Sequence, residues 1–295
     1  MKLKKTRILA LILLLLANVY VWRFIFKVSE GDNLVVIFFD VGQGDAIFIE
    51  TPEGHQILID GGPSEKKILE KLAKVIPFWD KEIDLVVLTH PDADHLTGLN
   101  AVLQRYRVEN IVWTGFQKET ETFRQWERNV EEERKEGARV FLMRRGERIK
   151  AGRAEFLVFY PFQGFKEEFA GRESNDSSLV LKLIFGNKKF LFPGDISKKV
   201  EFWLLTATDF PEDLSADVLK IPHHGSRNSS SREFLLSVNP QFAVIFCGKN
   251  NQFGFPSGEV LQALGDFGIN ILRTDEDGEI KFISDGKKLA VEKIR

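Results

Sequence analysis

The chain opens on its longest apolar run. Ile8 to Phe26 reads ILALILLLLANVYVWRFIF, with Asn18 and Arg23 as its strongly polar positions. As a helix, nineteen residues span about 28 Å, close to the roughly 30 Å hydrocarbon core of a bilayer. Lys2, Lys4, Lys5 and Arg7 precede the run, and basic residues before an apolar helix hold that end in the cytoplasm. The pattern predicts an uncleaved membrane anchor over 1–27, a polar linker over 28–33, and one domain over 34–295 facing outward. A cleaved signal peptide, giving a secreted protein, is the rival reading. Ala17-Asn18-Val19-Tyr20 is a poor small-x-small cleavage site.

After the linker, short apolar runs alternate with turn signals. Leu34–Phe39, Ala46–Glu50 and Gln56–Ile59 read as strands, the last two joined by a Pro52-Glu53-Gly54 turn. Glu65–Ile76 has helical spacing, with Ser64 as N-cap and Pro77 as stop. Asp84–Leu88 reads as a buried strand, followed by Ile111–Trp113. Residues 117–136 are charge-rich and predict a solvated helix or lid-like insertion. Strands resume at Val140–Met143, Glu155–Tyr160, Leu179–Phe185, Lys189–Phe192, Asp217–Ile221, Phe242–Phe246, Ile269–Arg273 and Glu279–Ile283. Helices are expected from Ser197, near Arg232–Ser237 and over Gly258–Phe267. Strand clusters with helices between them fit two sheets flanked by helices.

Composition narrows the function. The 295 residues are 43% hydrophobic, with 41 Lys+Arg against 43 Asp+Glu and a net charge of -2. That balance excludes a strongly basic nucleic-acid coat and an acidic disordered tail. A single cysteine, Cys247, excludes an internal disulfide framework and a thiolate zinc cluster. Any metal must be held by His, Asp or Glu, and there are five histidines. Most of the 26 Phe fall on strands and read as core. Trp113 and Phe116 are weighed as a base-stacking pocket, with core packing preferred.

Four of the five histidines sit in two short strings. Thr89-His90-Pro91-Asp92-Ala93-Asp94-His95 directly follows a buried strand. Its four potential ligands in six residues suit a divalent ion such as Zn²⁺ or Mn²⁺. Capping of the next helix, expected over Leu96–Tyr106, accounts for one of these residues but not for His90 and Asp92 as well. Asp60 before Gly61-Gly62, Asp195 after Pro193-Gly194, and His223-His224 before Gly225-Ser226 also stand at strand ends beside glycine. Each alone reads as a turn; together with the His/Asp loop they read as a site.

The strings Asp40-Val41-Gly42-Gln43-Gly44-Asp45-Ala46, Asp60-Gly61-Gly62, THPDADH, Asn175-Asp176-Ser177-Ser178, Pro193-Gly194-Asp195 and Pro222-His223-His224-Gly225-Ser226 occur in the order seen in the metallo-β-lactamase superfamily. Over residues 34–285 the chain resembles the metallo-hydrolase domain of the ComEC competence proteins. The resemblance implies a four-layer αββα sandwich (α+β) with one or two divalent metal ions, Zn²⁺ or Mn²⁺, at one edge between the sheets. It implies that His90 and Asp92 face one metal position and that Asp94 and His95 face the other. Asp195 would bridge them and His223 or His224 would complete the shell, the other contacting substrate or aiding the leaving group. Asp60 would hold a metal ligand in place, and Asn175 to Ser178 would hydrogen-bond a phosphate oxygen. Asp92 stands where the superfamily more often has histidine, which makes that position oxygen-rich. Phe255 stands where this branch often has histidine.

The implied activity is metal-dependent hydrolysis of a phosphodiester, with DNA outside the membrane as the leading substrate. Asp94 would orient the attacking hydroxide, and His223 or His224 would serve the leaving oxygen. Arg144, Arg145, Arg148, Lys150 and Arg153 offer a basic strip for DNA, with Arg172 and Arg227 near the motifs. The alternatives are a phosphoesterase acting on envelope or small-molecule phosphoesters, and a non-enzymatic partner of a DNA-uptake channel. With one anchor at most, the chain is not expected to translocate DNA by itself, so a separate channel protein would be its partner.

Overall fold

The computed structural model describes residues 2–29, 31–162, 173–207 and 213–295. The chain divides into two units, Met1–Asn33 and Leu34–Arg295. In the first, α1 runs Lys2–Ser29. The expected membrane span is not supported: among the described residues no helix is long and apolar enough to cross a membrane. Within α1, Leu11, Leu14, Leu15, Tyr20 and Trp22 are exposed.

The second unit is a pair of mixed sheets. The first contains β1 (Leu34–Phe38), β2 (Ile47–Glu50), β3 (Gln56–Ile59), β4 (Glu82–Val87), β5 (Arg107–Trp113), β6 (Arg139–Leu142), β14 (Glu279–Ser284) and β15 (Leu289–Ile294), in the order β15-β14-β1-β2-β3-β4-β5-β6. The second contains β7 (Arg148–Ala151), β8 (Ala154–Tyr160), β9 (Val180–Phe185), β10 (Lys188–Phe192), β11 (Val218–Lys220), β12 (Phe242–Ile245) and β13 (Asn270–Arg273), in the order β13-β12-β11-β10-β9-β8-β7. The β3–β6 pairs and the β10–β13 pairs are parallel, and the remaining pairs in each sheet are antiparallel.

Side-chain alternation builds the layers. Phe38, Ile49 and Val87 of the first sheet meet Phe156, Leu181 and Phe190 of the second in the central core. Their neighbours Phe39, Phe48 and Val86 face outward onto α2 (Glu65–Val75), α3 (Ala93–Arg105) and α4 (Glu121–Lys135). The outer face of the second sheet is covered by α5 (Lys198–Thr206), α6 (Arg232–Val238) and α7 (Gly258–Asp266). This is the expected αββα arrangement.

Three expectations change. Residues 117–136 are not a solvated lid: α4 buries Phe123, Trp126, Asn129, Val130 and Glu133, and Thr120 caps its start by accepting from the Phe123 amide. Aromatic residues three apart meet a helix spacing that the surrounding charge conceals. The basic strip contains the edge strand β7, whose Arg148 pairs with Glu155 and whose neighbour Arg153 pairs with Glu53. Helix α3 begins at Ala93 rather than Leu96, which places Asp94 and His95 in its first turn.

A glycine pair sets where that turn lies. Gly61 donates to the His95 carbonyl (2.8 Å) and Gly98 to the Gly62 carbonyl (3.0 Å). A Cβ on Gly98 would fall onto the Gly61 carbonyl, and one on Gly61 onto the Leu99 amide. Backbone on both sides leaves no flexible neighbour to yield. Gly98→Ala is expected to destabilise the domain by about 2–3 kcal/mol. Gly265→Ala, in α7 where a Cβ meets nothing within 4 Å, should be neutral or stabilising. Denaturant titration of the two variants checks this; equal stability would refute the steric account.

Candidate metal centre

Chain turns from both sheets converge on one point. Asp60 leaves β3, Thr89 to His95 leave β4, Asp195 leaves β10, and Lys220 with His223 and His224 leave β11. Open α/β sheets place ligands at such carboxyl ends of strands. Asp45, in the turn between β1 and β2, is drawn in by its amide donating to the Asp94 carbonyl (3.3 Å). Asp60, His223 and His224 all have positive φ (58°, 50° and 54°), a left-handed conformation uncommon for non-glycine residues. It turns consecutive histidines in different directions.

Asp60 organises the centre. Its carboxylate accepts from the Thr89 amide (2.8 Å), the Thr89 hydroxyl (2.6 Å) and His95 Nδ1 (2.8 Å). The Thr89 hydroxyl proton is thereby committed, so its oxygen accepts from His90 Nδ1 (3.0 Å). Both imidazoles donate through Nδ1 and turn Nε2 inward. His90 Nε2 and His95 Nε2 are buried with no hydrogen-bond partner, as are His224 Nδ1 and Asp45 Oδ1.

Asp45, His95, Asp195 and His224 are all buried, and each offers a ligand atom within 4.8 Å of the others. Asp195 Oδ2 lies 3.4 Å from both His95 Nε2 and His224 Nε2. That is too long for a good hydrogen bond and matches the roughly 3.4 Å edge of a tetrahedron with 2.0–2.1 Å metal bonds. His224 Nε2 also contacts Asp94 Oδ2 (3.1 Å), and Asp94 is about one-third exposed (35%) at the mouth.

The electrostatics favour added positive charge. Burial would lower His95, but Asp195, Asp45 and Asp60 raise it well above the ordinary histidine value. His224 is raised in the same way, against burial, by Asp195 and by the hydrogen bond it donates to Asp94. His90, by contrast, is pushed down to about 4 by burial and by the neighbouring His95, so it stays neutral and able to ligate. Unpartnered inward imidazole nitrogens among excess carboxylates, a set that favours added positive charge, fit a divalent cation that displaces those protons.

Two lysines share the acid. Lys220 is buried and donates to Asp195 Oδ1 (2.6 Å), Asp45 Oδ2 (2.5 Å) and the Gly194 carbonyl (2.8 Å). Lys118, partly exposed, donates to Asp92 Oδ1 (2.6 Å). Burial works to raise Asp92, yet His90 and Lys118 beside it hold its carboxyl below the usual range.

Of the candidate residues, the structure brings His90, Asp94, His95, Asp195 and His224 together around Asp60. His224, not His223, enters the ligand group. His223 turns to Asn175, whose Nδ2 lies 3.3 Å from its Nε2, while its own amide donates to Asp195 Oδ1 (3.1 Å). Ser178 is buried, and its hydroxyl accepts from the Asp195 amide (2.9 Å). Asp92 is tied to Lys118.

Asp45, Lys220 and Lys118 were not singled out as site residues by the sequence. Asp45 lay within the quoted DVGQGD string, and Lys220 is marked by a lone charge in an otherwise apolar strand. Lys118 carries no local signal. Arg172 lies outside the described residues. Trp113 packs against Phe123 and Trp126, as core. Cys247 is buried, donates to Asp275 (2.9 Å) and is pushed up to about 12 by burial and by Asp275, so it is an unreactive thiol.

The family model described as "Metallo-beta-lactamase superfamily" matches residues 39–249. The chain belongs to the metallo-β-lactamase superfamily. Among curated proteins it is 33% identical over 271 residues to ComE operon protein 3 of Bacillus subtilis (strain 168), covering 86% of this chain and 33% of that protein. It is 28% identical over 259 residues to competence protein ComA of Neisseria gonorrhoeae, again 86% of this chain and 33% of that protein. The chain thus spans about a third of the length of these relatives. The Zn²⁺-bound PqqB structure from Methylobacterium extorquens shares the fold, with a TM-score of 0.51 at 12% identity over 81% of this chain and 97% of that chain.

The superfamily fold makes the Asp60 network directly testable. Asp60→Ala is expected to weaken Zn²⁺ or Mn²⁺ binding about 10- to 100-fold, measured by calorimetry, with the circular dichroism spectrum retained. Unchanged affinity would show that Asp60 does not orient the imidazoles.

Proposed function

We propose that this domain is a metal-dependent phosphodiesterase that cleaves DNA. The observation that carries the reading is the buried Asp45–His95–Asp195–His224 group, with Asp94, His223 and Asn175 around its open side. Those four residues would hold a divalent ion, and His90 with Asp92 would form a second position. When bound, such an ion lowers the pKa of its water to about 7 and neutralises charge developing on phosphorus. The similarity to competence proteins supports DNA as the substrate class.

The chain's own groups then divide the work. Burial would raise Asp94, but the hydrogen bond from His224 and the charge of His95 hold it well below the usual carboxylate range, so it stays ionised and, fixed through Oδ2, orients the attacking water. The Asn175 amide donates to a non-bridging phosphate oxygen. His223, kept neutral by burial, hydrogen-bonds the leaving oxygen, which takes its proton from water as the P–O bond breaks. Lys118, free to exchange Asp92 for a phosphate, adds a cation at the mouth.

With Mn²⁺ or Zn²⁺ supplied, the purified chain should cut a fluorescent oligonucleotide. Asp94→Ala should lose about 10²- to 10⁴-fold in kcat. Absence of cleavage on single- and double-stranded DNA alike would rule the activity out, and hydrolysis of phosphomonoesters alone would favour the envelope phosphoesterase. The proposal places the domain outside the cytoplasm, on the strength of the similarity to competence proteins, whose context is DNA uptake. Protease added to intact spheroplasts should then degrade it, and full protection would argue against that location.

A further inference from the structure

An exposed aromatic stands beside the mouth of the centre, and the described site chemistry does not use it. Phe253 is 59% exposed, yet its loop is tightly held. The Asn251 side chain donates to the Phe255 carbonyl (2.7 Å) and the Gly248 carbonyl (3.1 Å), and accepts from the Phe255 amide (3.0 Å). The Gly248 amide donates in turn to the Gln43 side chain (3.1 Å), which ties the loop to the turn that carries Asp45. Between the two rings, Gly254 takes a positive φ of 68°. That turn lets residues 253 and 255 present parallel faces.

The rings lead away from the centre in sequence, edge-on from His223 to Phe255 and stacked from Phe255 to Phe253. Phe255 lies 5.6 Å from His223 and 6.3 Å from His224, centroid to centroid. Phe253 stacks on Phe255 at 5.7 Å with an interplanar angle of 18°. The inner face of Phe253 is covered by Phe255, and its outer face is open to solvent. A hydrophobic side chain held rigidly in water contributes nothing to the core, and such a fixed flat face loses little entropy on binding a planar partner.

We infer that Phe253, backed by Phe255, is a stacking platform for the nucleobase next to the phosphate being cleaved, and that it selects single-stranded or frayed DNA. The inference rests on the phosphodiesterase reading above. Aromatic stacking accepts every base, because each has a π-face. Inside a duplex both faces of a base are already stacked on its neighbours. Only an unpaired nucleotide or a strand end can offer a free face to Phe253 while its phosphate reaches His223.

The test uses the full chain loaded with Mn²⁺ and compares Phe253→Ala and Phe253→Trp with wild type. The substrates are a single-stranded oligonucleotide, a closed hairpin duplex, and a strand of the same length made of abasic nucleotides. Phe253→Ala should raise KM for the single strand by roughly 5- to 150-fold, the span of one lost base stack, with kcat little changed. Phe253→Trp should restore it, and the penalty should vanish on the abasic strand. An unchanged KM, or an equal penalty on the abasic strand, would overturn the platform. If wild type cleaves none of these strands, the phosphodiesterase reading fails, and anisotropy of the fluorescein-labelled single strand decides the platform. Weaker binding by Phe253→Ala supports it, and equal binding overturns it.

Discussion

The centre depends on one buried carboxylate that touches no substrate. Asp60 accepts three hydrogen bonds, two from Thr89 and one from His95. A buried carboxylate needs such donors, because an unsatisfied charge in the protein interior is costly. The same bonds fix the protons of two imidazoles, directly for His95 and through Thr89 for His90. They also bind the ends of β3 and β4 to the first turn of α3. Secondary structure, tautomer and ligand direction are thus set together, and the close approach at Gly61 and Gly98 keeps them in register.

Charge balance is the second constraint. Asp45 and Asp195 offer ligand atoms within 4.8 Å of each other, Asp94 meets His224 beside them, and Lys220 offsets one of the three charges permanently. Three acceptors surround its buried ammonium, so it has no alternative partner to reach. Lys118 differs in kind. It is partly exposed and holds one oxygen of Asp92, so water or an anion can compete for it. The two lysines separate a fixed part of the site from an exchangeable part.

Much of this was legible in the sequence, because the strands are apolar runs and the chemistry sits where they end. The THPDADH string, Asp60, Asp195 and the paired histidines stand at strand ends, so reading the strands located the ligands. What escaped the sequence is informative. Helix α4 hides its core face among charges, since Phe123 and Trp126 are the only large apolar residues on its first two turns. The division of labour between His223 and His224 follows from two consecutive left-handed residues, a backbone property with no one-letter signature. Asp45 and Lys220 meet only because two sheets pack, so their pairing is invisible to local reading. The apolar N-terminal run shows the reverse case: a clear sequence pattern for a membrane span that no helix among the described residues supports.

The centre is assembled across a seam. The first sheet supplies Asp45, Asp60, His90 and His95, while the second supplies Asp195, Lys220 and His224. Neither sheet carries the complete buried group, since the first brings Asp45 and His95 and the second Asp195 and His224. Competence of the centre therefore requires the halves to be docked and is lost when they part. Metal retention then works as a gauge of sheet–sheet docking, and a partly folded chain is chemically silent.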